Sequence, residues 1–500
     1  MYKLLYKPNT ENRDYKFVMA YPEKEEFALS SLGYMWLFRI SDILNGIDSA
    51  RVCTDNSAFP FKNTEAVAFS LSFDFDFTGV FEILERNNIP FLSSERGENH
   101  PLIFAGGPVI TTNPRPYDDI FDFMIIGDGE NIFKEVLNIL KQRCDKQNTL
   151  EKLSKIDGIY IPKMTAKIKK STAKLDNVIY TPILSEKSYF KDTFIIELQR
   201  GCMNRCAFCT ASYLNLPFRH YPYEQIIEAI ESGLKHTNKI ALLGAQISAH
   251  PDFEKIIKYL KDKMESGEKI ELGISSLRAA SITPELVQVL VLGGQKTSTI
   301  AIEAASERLR KFINKNLSNE QIFNAIKVCR ENGLNGIKIY SMIGIPTETW
   351  EDIEEFITLA KKIKSENKGF DITFSFSTFV PKPHTPFERE KRESTKELEK
   401  KQKFLEKEFA KIGINSKFSS VKWDYWQTLL SRGDASLGKF MIEVYKNGGG
   451  HGAYKSALKK LNIDIEKSID GFGTEDNLPW NIFESNELLD KEYDRLLKFV

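Results

Sequence analysis

Six cysteines occur in the 500 residues, and their spacing divides them. Cys53, Cys144 and Cys329 stand alone. Cys202, Cys206 and Cys209 fall in the segment Glu197–Thr210, ELQRGCMNRCAFCT, as C-x3-C-x2-C directly behind an apolar run. Six are too few and too uneven for a disulfide framework, so a reducing cytosol is expected. Isolated cysteines usually serve as packed hydrophobes, but spacings of four and three around a loop bring thiols toward one point. A structural zinc site wants four ligands, usually as two pairs. No second C-x2-C occurs, and His220 is a poorly spaced fourth ligand. An iron–sulfur cube fits better, because three thiolates leave one iron open to a substrate or cofactor.

Such a loop must be held by a sheet. From Phe194 onward, strands are expected at 194–199, 239–243, 270–274, 297–303, 336–342 and 371–377. Helices are expected at 222–236, 252–265, 283–292, 319–332 and 349–364, the first with the apolar stripe Ile226, Ile227, Ile230 and Leu234. Six βα-type units suit an open partial barrel better than a closed eight-stranded one. Residues at the carboxyl ends of its strands would surround the mouth. These are Gly244-Ala245-Gln246, Ser275 to Arg278, Glu303 and the exit Gly344-Ile345-Pro346-Thr347. Arg278 suits a charge-assisted pair with a carboxylate, or is a surface arginine. Thr347 also fits a helix start. His384, in FVPKPHTPF, either faces substrate or stabilises its turn.

The stretch to about residue 160 alternates in the same way. Strands are expected at Tyr15–Tyr21, Ala66–Phe73, Leu102–Ala105 and Phe121–Ile126, with helices at Leu29–Leu44 and Val80–Asn88. This reads as a doubly wound α/β domain, turning at Gly106-Gly107-Pro108 and Gly127-Asp128-Gly129. The division expected is 1–160 for this domain, 161–190 for a connecting segment, 191–388 for the barrel and 389–500 for a small, mostly helical region. Glu388–Lys411, dense in both charges, reads as a solvated helix.

Lys plus Arg and Asp plus Glu are each 69, giving zero net charge. The global basic field of a polyanion coat is therefore missing, although nucleic acid docked on a local patch is not excluded. A hydrophobic content of 42% with 12% aromatics supplies ample core. No apolar run approaches the roughly 18 residues that span a bilayer. The amino terminus lacks the apolar stretch of a secretory signal. A cytoplasmic protein with no membrane partner is expected.

The cysteine trio, with Phe208 before its last member, a strand before it and six βα units after it, resembles the signature of the radical S-adenosylmethionine (SAM) superfamily. The resemblance implies a 4Fe–4S cluster on Cys202, Cys206 and Cys209, whose fourth iron chelates SAM. One-electron reduction, by a donor such as flavodoxin or ferredoxin, would cleave the sulfonium to a 5′-deoxyadenosyl radical within a dry barrel cavity. It further implies that Gly244 and Gln246, where the family often has Gly-Gly-Glu, meet the amino group of SAM. Ser275 and Arg278 would meet its carboxylate, Glu303 the ribose, and Ile345 at the fifth-strand exit the adenine. Arg219 is similar to a recurrent arginine near the cluster loop.

Tyr21-Pro22 through Gly33, Ala66–Phe73, Phe104–Ile110 and Ile125–Glu130 resemble the cobalamin-binding-type domain that precedes many members of this superfamily. Ser70, Ser72, Gly106, Gly107 and Gly127 would line its crevice. The usual cobalt-ligand pattern Asp-x-His-x-x-Gly is missing, and the domain's one histidine, His100, lies in another context. Two readings stay open: cobalamin bound without a histidine ligand, or a domain that keeps the fold but not the cofactor. With cobalamin, the resemblance implies methyl transfer to an unactivated carbon; without it, rearrangement, oxidation or sulfur insertion. Methylthiolation of RNA is disfavoured, because no second cysteine trio exists. The alternative from another class is a non-catalytic iron–sulfur protein that senses redox state or binds a partner. Its support is the altered Gly244-Ala245-Gln246.

Overall fold

Alternating apolar residues and short turns fold the first part of the chain into a six-stranded sheet. The computed structural model describes residues 2–274, 276–483 and 487–499. The strands are β1 (Tyr15–Tyr21), β2 (Ile47–Cys53), β3 (Ala66–Ser70), β4 (Leu102–Gly106), β5 (Phe123–Ile125) and β6 (Ile159–Tyr160), in the order β2-β1-β3-β4-β5-β6. The first five are parallel and β6 closes the edge antiparallel. Strand β2 was not expected from the sequence. It sits at the edge, where Asp48 and Arg51 break the apolar pattern yet stay half-exposed.

One face of this sheet packs on the helices Leu32–Ile43, Phe133–Leu140 and Lys146–Leu153. The other face carries the helix Phe77–Arg86 together with helices from the far end of the chain, Val421–Arg432, Leu437–Lys446 and His451–Leu461. Tyr454 lies against Phe77 at 6.4 Å between ring centroids and Trp426 at 4.8 Å, and Phe75 meets Trp423 at 5.3 Å. The carboxyl-terminal helices are therefore not a separate appendage. They complete the second layer that a parallel sheet requires.

The second unit is an open barrel of parallel strands: β7 (Phe194–Glu197), β8 (Lys239–Leu243), β9 (Glu271–Ile274), β10 (Thr297–Glu303), β11 (Gly336–Ile343) and β12 (Asp371–Thr378). Strand β8 pairs with both β7 and β9, while β10, β11 and β12 form a second parallel run. Among the described residues a single bridge, Leu277 to Ile300, joins the two. A further short strand, β13 (Asn415–Phe418), pairs parallel with β12 at the open edge. The outer face is apolar and packs under the helices; the inner face is not, as its pattern of half-exposed Thr, Ser and Lys shows. A dry barrel interior is thus not what these strands build.

The charge-dense segment also differs from expectation. Its helix spans Thr395–Ile412 and buries Leu398, Lys401, Leu405 and Phe409 on one face. The Lys401 side chain is 4% exposed and lies 2.7 Å from Glu348, itself 1% exposed, and 2.7 Å from Glu393. Burial pushes the Glu348 carboxyl up to about 7, against the pull of Lys401. Removing one member of a buried pair strands the other charge, at a cost of about 3–5 kcal/mol. Lys401→Met should therefore lower the denaturant midpoint strongly, and adding Glu348→Gln should restore part of it. Equal midpoints for Lys401→Met and the wild type would show that the pair does not anchor this helix.

Candidate functional site

The loop carrying the three cysteines hangs from the carboxyl end of β7 and is closed at its base by a two-residue antiparallel ladder, Gln199 with His220 and Arg200 with Arg219. Gly201 starts it at φ +77°, where a Cβ would stand 2.6 Å from the Asn215 carbonyl. Only glycine fits that turn. The loop is pinned to the segment after β10: Ala207 N–H donates to Ile313 O at 3.0 Å, and the Asn314 amide donates to the carbonyls of Asn204 and Arg205 at 3.0 and 2.9 Å. Cys202 and Cys206 are buried and Cys209 is half-buried. Burial pushes the Cys206 thiol up to about 12, with Lys315 opposing, and Cys202 and Cys209 lie within electrostatic reach. Among the described residues no three His, Cys, Asp or Glu side chains converge on a single ion. A cube suits a trio of this spacing, because each thiolate would meet a different iron. A bound metal would also deprotonate thiols that burial keeps neutral.

The strand ends gather around this loop. Gln246 lies beside Cys202, whose thiol reaches its Oε1 at 3.6 Å, and the Asn204 amide donates to that same oxygen. Gly244 packs so tightly that a Cβ would stand 2.8 Å from the Gln199 side chain. Glu303 ends β10 at φ +66°, one residue past a bulge in its pairing with β11. A non-glycine residue held there stores strain of order 1–3 kcal/mol, which points to a site that needs this carboxylate aimed inward. Its Oε1 is 2.9 Å from Lys315 Nζ. Arg278 donates from Nη2 to the Lys315 carbonyl at 2.7 Å and so holds the same turn. Ile345 is buried with Ala207, Met342 and Phe312 directly under the loop. Ser275 lies outside the described residues. Lys315 was missed by sequence reasoning, since a lysine in an irregular turn gives no periodic signal.

A cavity of ≈ 400 Å³ opens between the two α/β units. Its walls are Ser70, Ser72, Gly106, Gly107 and Gly127 from the carboxyl ends of β3 to β5, and Thr210, Leu214 and Leu243 from the cysteine loop and barrel. At Gly107 (φ +107°) a Cβ would stand 2.4 Å from the Leu71 carbonyl, so this wall is shaped by backbone alone. One side of the cavity is a half-buried ionic network. Arg200 forks onto Glu197 at 2.9 and 2.8 Å, reaches Asp128 at 3.1 Å, and bonds Glu130. Arg219 meets Asp128 at 2.7 Å, so it ties the barrel to the first domain rather than touching the cysteines. Burial would raise the Asp128 carboxyl, but Arg200 and Arg219 together hold it below its ordinary value.

A cysteine-bearing loop on an open βα barrel, facing a doubly wound domain across a cavity, defines an iron–sulfur enzyme of the partial-barrel kind. The model of the radical SAM superfamily matches residues 196–360, and that of radical SAM proteins, N-terminal, matches 45–162. An uncharacterised protein of Methanocaldococcus jannaschii is 33% identical over 428 residues, which are 84% of this chain and 87% of that one. The chain belongs to the radical SAM superfamily, whose members use a 4Fe–4S cluster and SAM. Among solved structures, the radical SAM methyltransferase TsrM from Kitasatospora setae, with cobalamin and a [4Fe–4S] cluster bound, superposes with a TM-score of 0.55 at 13% identity, over 75% of this chain and 77% of its own. The cobalamin-dependent radical enzyme OxsB, with aqua-cobalamin and SAM bound, gives 0.52 at 15% identity, over 70% of this chain and 52% of its own. These two share the fold. Among the described residues no helix is long and apolar enough to cross a membrane.

His384 takes the structural option. It is buried at φ +58°, its Nε2 lies 3.0 Å from the Thr112 carbonyl behind the cavity wall, and its backbone N–H donates to Glu388 at 2.8 Å. Burial lowers its pKa to about 3; the bond to Thr112 opposes this and Lys170 adds to it. Below pH 6.5 the unfolded histidine binds a proton that the folded one refuses, so stability falls as pH drops toward 3, by about 1.4 kcal/mol per pH unit. The wild type should lose about 2 kcal/mol through this group between pH 6.5 and 5. His384→Gln should lack that component in denaturant titrations at the two pH values. An identical pH slope in both proteins would show that His384 is protonated in the fold.

Proposed function

We propose that this protein reductively cleaves one SAM, uses the product radical to abstract hydrogen from an unactivated carbon, and methylates that carbon through cobalamin with a methyl group drawn from a second SAM. The observation that carries the reading is the ≈ 400 Å³ cavity, whose walls come jointly from the glycine-rich strand ends and from the cysteine loop. A cofactor held there would face the loop across no intervening protein. Cys202, Cys206 and Cys209 are the ligands for the cluster. When bound, it passes one electron from an external donor to the sulfonium of SAM, giving methionine and, after hydrogen abstraction from substrate, 5′-deoxyadenosine.

The surrounding residues position that cofactor. Gln246, next to Cys202, offers an amide oxygen to the amino group. Lys315 and Arg278 carry the positive charge for the carboxylate. Glu303, aimed inward by the bulge, accepts from ribose hydroxyls, and Ile345 supplies an apolar wall for the adenine. In the first domain Gly106, Gly107 and Gly127 permit close approach of a large ring, and no histidine lies at this wall to serve as a cobalt ligand. A redox sensor has no use for these features.

Anaerobic reconstitution with iron and sulfide, followed by a strong reductant and SAM, should yield 5′-deoxyadenosine. Cys202→Ala should lose both the visible cluster absorbance and the product. Cobalamin added during reconstitution should be retained through gel filtration. Absence of 5′-deoxyadenosine from cluster-loaded protein would sink the enzymatic reading, and failure to retain cobalamin would sink methyl transfer through it.

A further inference from the structure

The inner face of the barrel has an uneven division of side chains. On the β8–β9 side, the inward positions at mid-depth are small: Ala241 and Gly273. On the opposite side they are long or hydroxylated. In register, Thr299, Lys338, Thr373 and Asn415 form one layer, and Ala301, Tyr340, Ser375 and Lys417 form the layer above. Adjacent strands lie about 4.8 Å apart, so Tyr340 and Lys417 stand roughly 10 Å apart across Ser375. Lys338 Nζ reaches up to the Tyr340 hydroxyl at 3.3 Å and lies 4.7 Å from its ring centre. Tyr340 is 39% exposed although it points into the barrel.

The charges within this recess do not cancel. Among the described residues, neither Lys338 nor Lys417 is paired with a carboxylate. The inward carboxylates lie elsewhere: Glu271 and Asp371 at the amino ends of their strands, Glu197 held by Arg200, and Glu303 held by Lys315. Two ammonium groups and four hydroxyls, from Thr299, Tyr340, Thr373 and Ser375, therefore share a wall on rigid strands, with small residues opposite. Donors so arranged suit an oxyanion.

We infer that this wall binds an anionic group, carboxylate or phosphate, of a small-molecule substrate. The inference rests on the reading of the barrel mouth as the reaction site. Strands rise about 3.3 Å per residue, so the two layers lie roughly 7–13 Å below the level of Glu303. An oxyanion held there would present a carbon some distance along the same molecule to the mouth. A long polyanion is the poorer occupant, because the chain has zero net charge and only two lysines stand on this face.

The test is competitive lysine labelling of the full chain by reductive methylation, read by peptide mass spectrometry. Probes are inorganic phosphate and succinate, with neutral succinamide as control. Lys338 and Lys417 should be labelled several-fold more slowly with an anion while surface lysines are unchanged. Protection by succinate alone assigns a carboxylate, by phosphate alone a phosphate, and by both an oxyanion site of either kind. In Lys338→Met, Lys417 should lose its protection. Equal labelling with and without both anions, or equal protection by succinamide, would overturn the inference. Because labelling needs no turnover, 5′-deoxyadenosine production without anion protection fails only the anion site. Anion protection without 5′-deoxyadenosine fails only the radical reading.

Discussion

The charge of Arg200 must be neutralised in a place only partly open to water, and the relation of the two α/β units follows from how this is done. A desolvated guanidinium costs several kcal/mol unless its hydrogen bonds are all met by acceptors of opposite charge. Glu197, the last residue of β7 and three before Arg200, takes one fork, while Asp128 and Glu130 come from the other unit. The planar fork fixes the directions of these bonds. The loop from Gly127 to Glu130 cannot slide along β7 without unpairing a half-buried charge. Since β7 leads directly into Gly201 and Cys202, one interaction sets the distance between the cavity wall and the cysteine loop. Arg219, opposite Arg200 in the two-residue ladder, makes a second contact to Asp128 and locks the loop's other end.

The barrel was legible because its strands are apolar on the outer face and its helices carry regular stripes. Thr297–Glu303 and Lys239–Leu243 fall where the pattern puts them. The cysteine spacing pointed to the chemistry for the same reason: it is a local feature. Long-range pairing was not legible. An amphipathic face says that Tyr454 is buried, not that it is buried on Phe77, hundreds of residues away. Lys401 was hidden in a charge run whose average is solvated, although Leu398, Leu405 and Phe409 at helical spacing around it mark the buried stripe. Arg200 had a signal that went unused. Asp128 and Glu130 in one loop and Arg219 in another are charges without local partners, and Glu197 meets only part of the bonding capacity of Arg200.

A reactive radical must be kept from water, and the hydroxyl- and lysine-bearing inner face of the barrel cannot do this alone. The apolar surface lies at the mouth. Ala207 from the cysteine loop, Ala304 and Phe312 after β10, Met342 and Ile345 at the exit of β11, Phe379 and Phe387 after β12 and Leu496 near the end of the chain form one buried cluster. Glu492, one turn before Leu496, pairs with Arg205 on the loop itself at 3.2 Å. Each wall thus comes from a different part of the sequence, and the last from the final helix. Burying such a cluster contributes roughly 1.5–3 kcal/mol for each large side chain, but only after the barrel, the loop and the carboxyl-terminal segment have come together. Exclusion of water is therefore a property of the whole chain. The polar inner face below is left free of that task because the dry contacts above it are made by other residues, and the two surfaces are separated along the barrel axis.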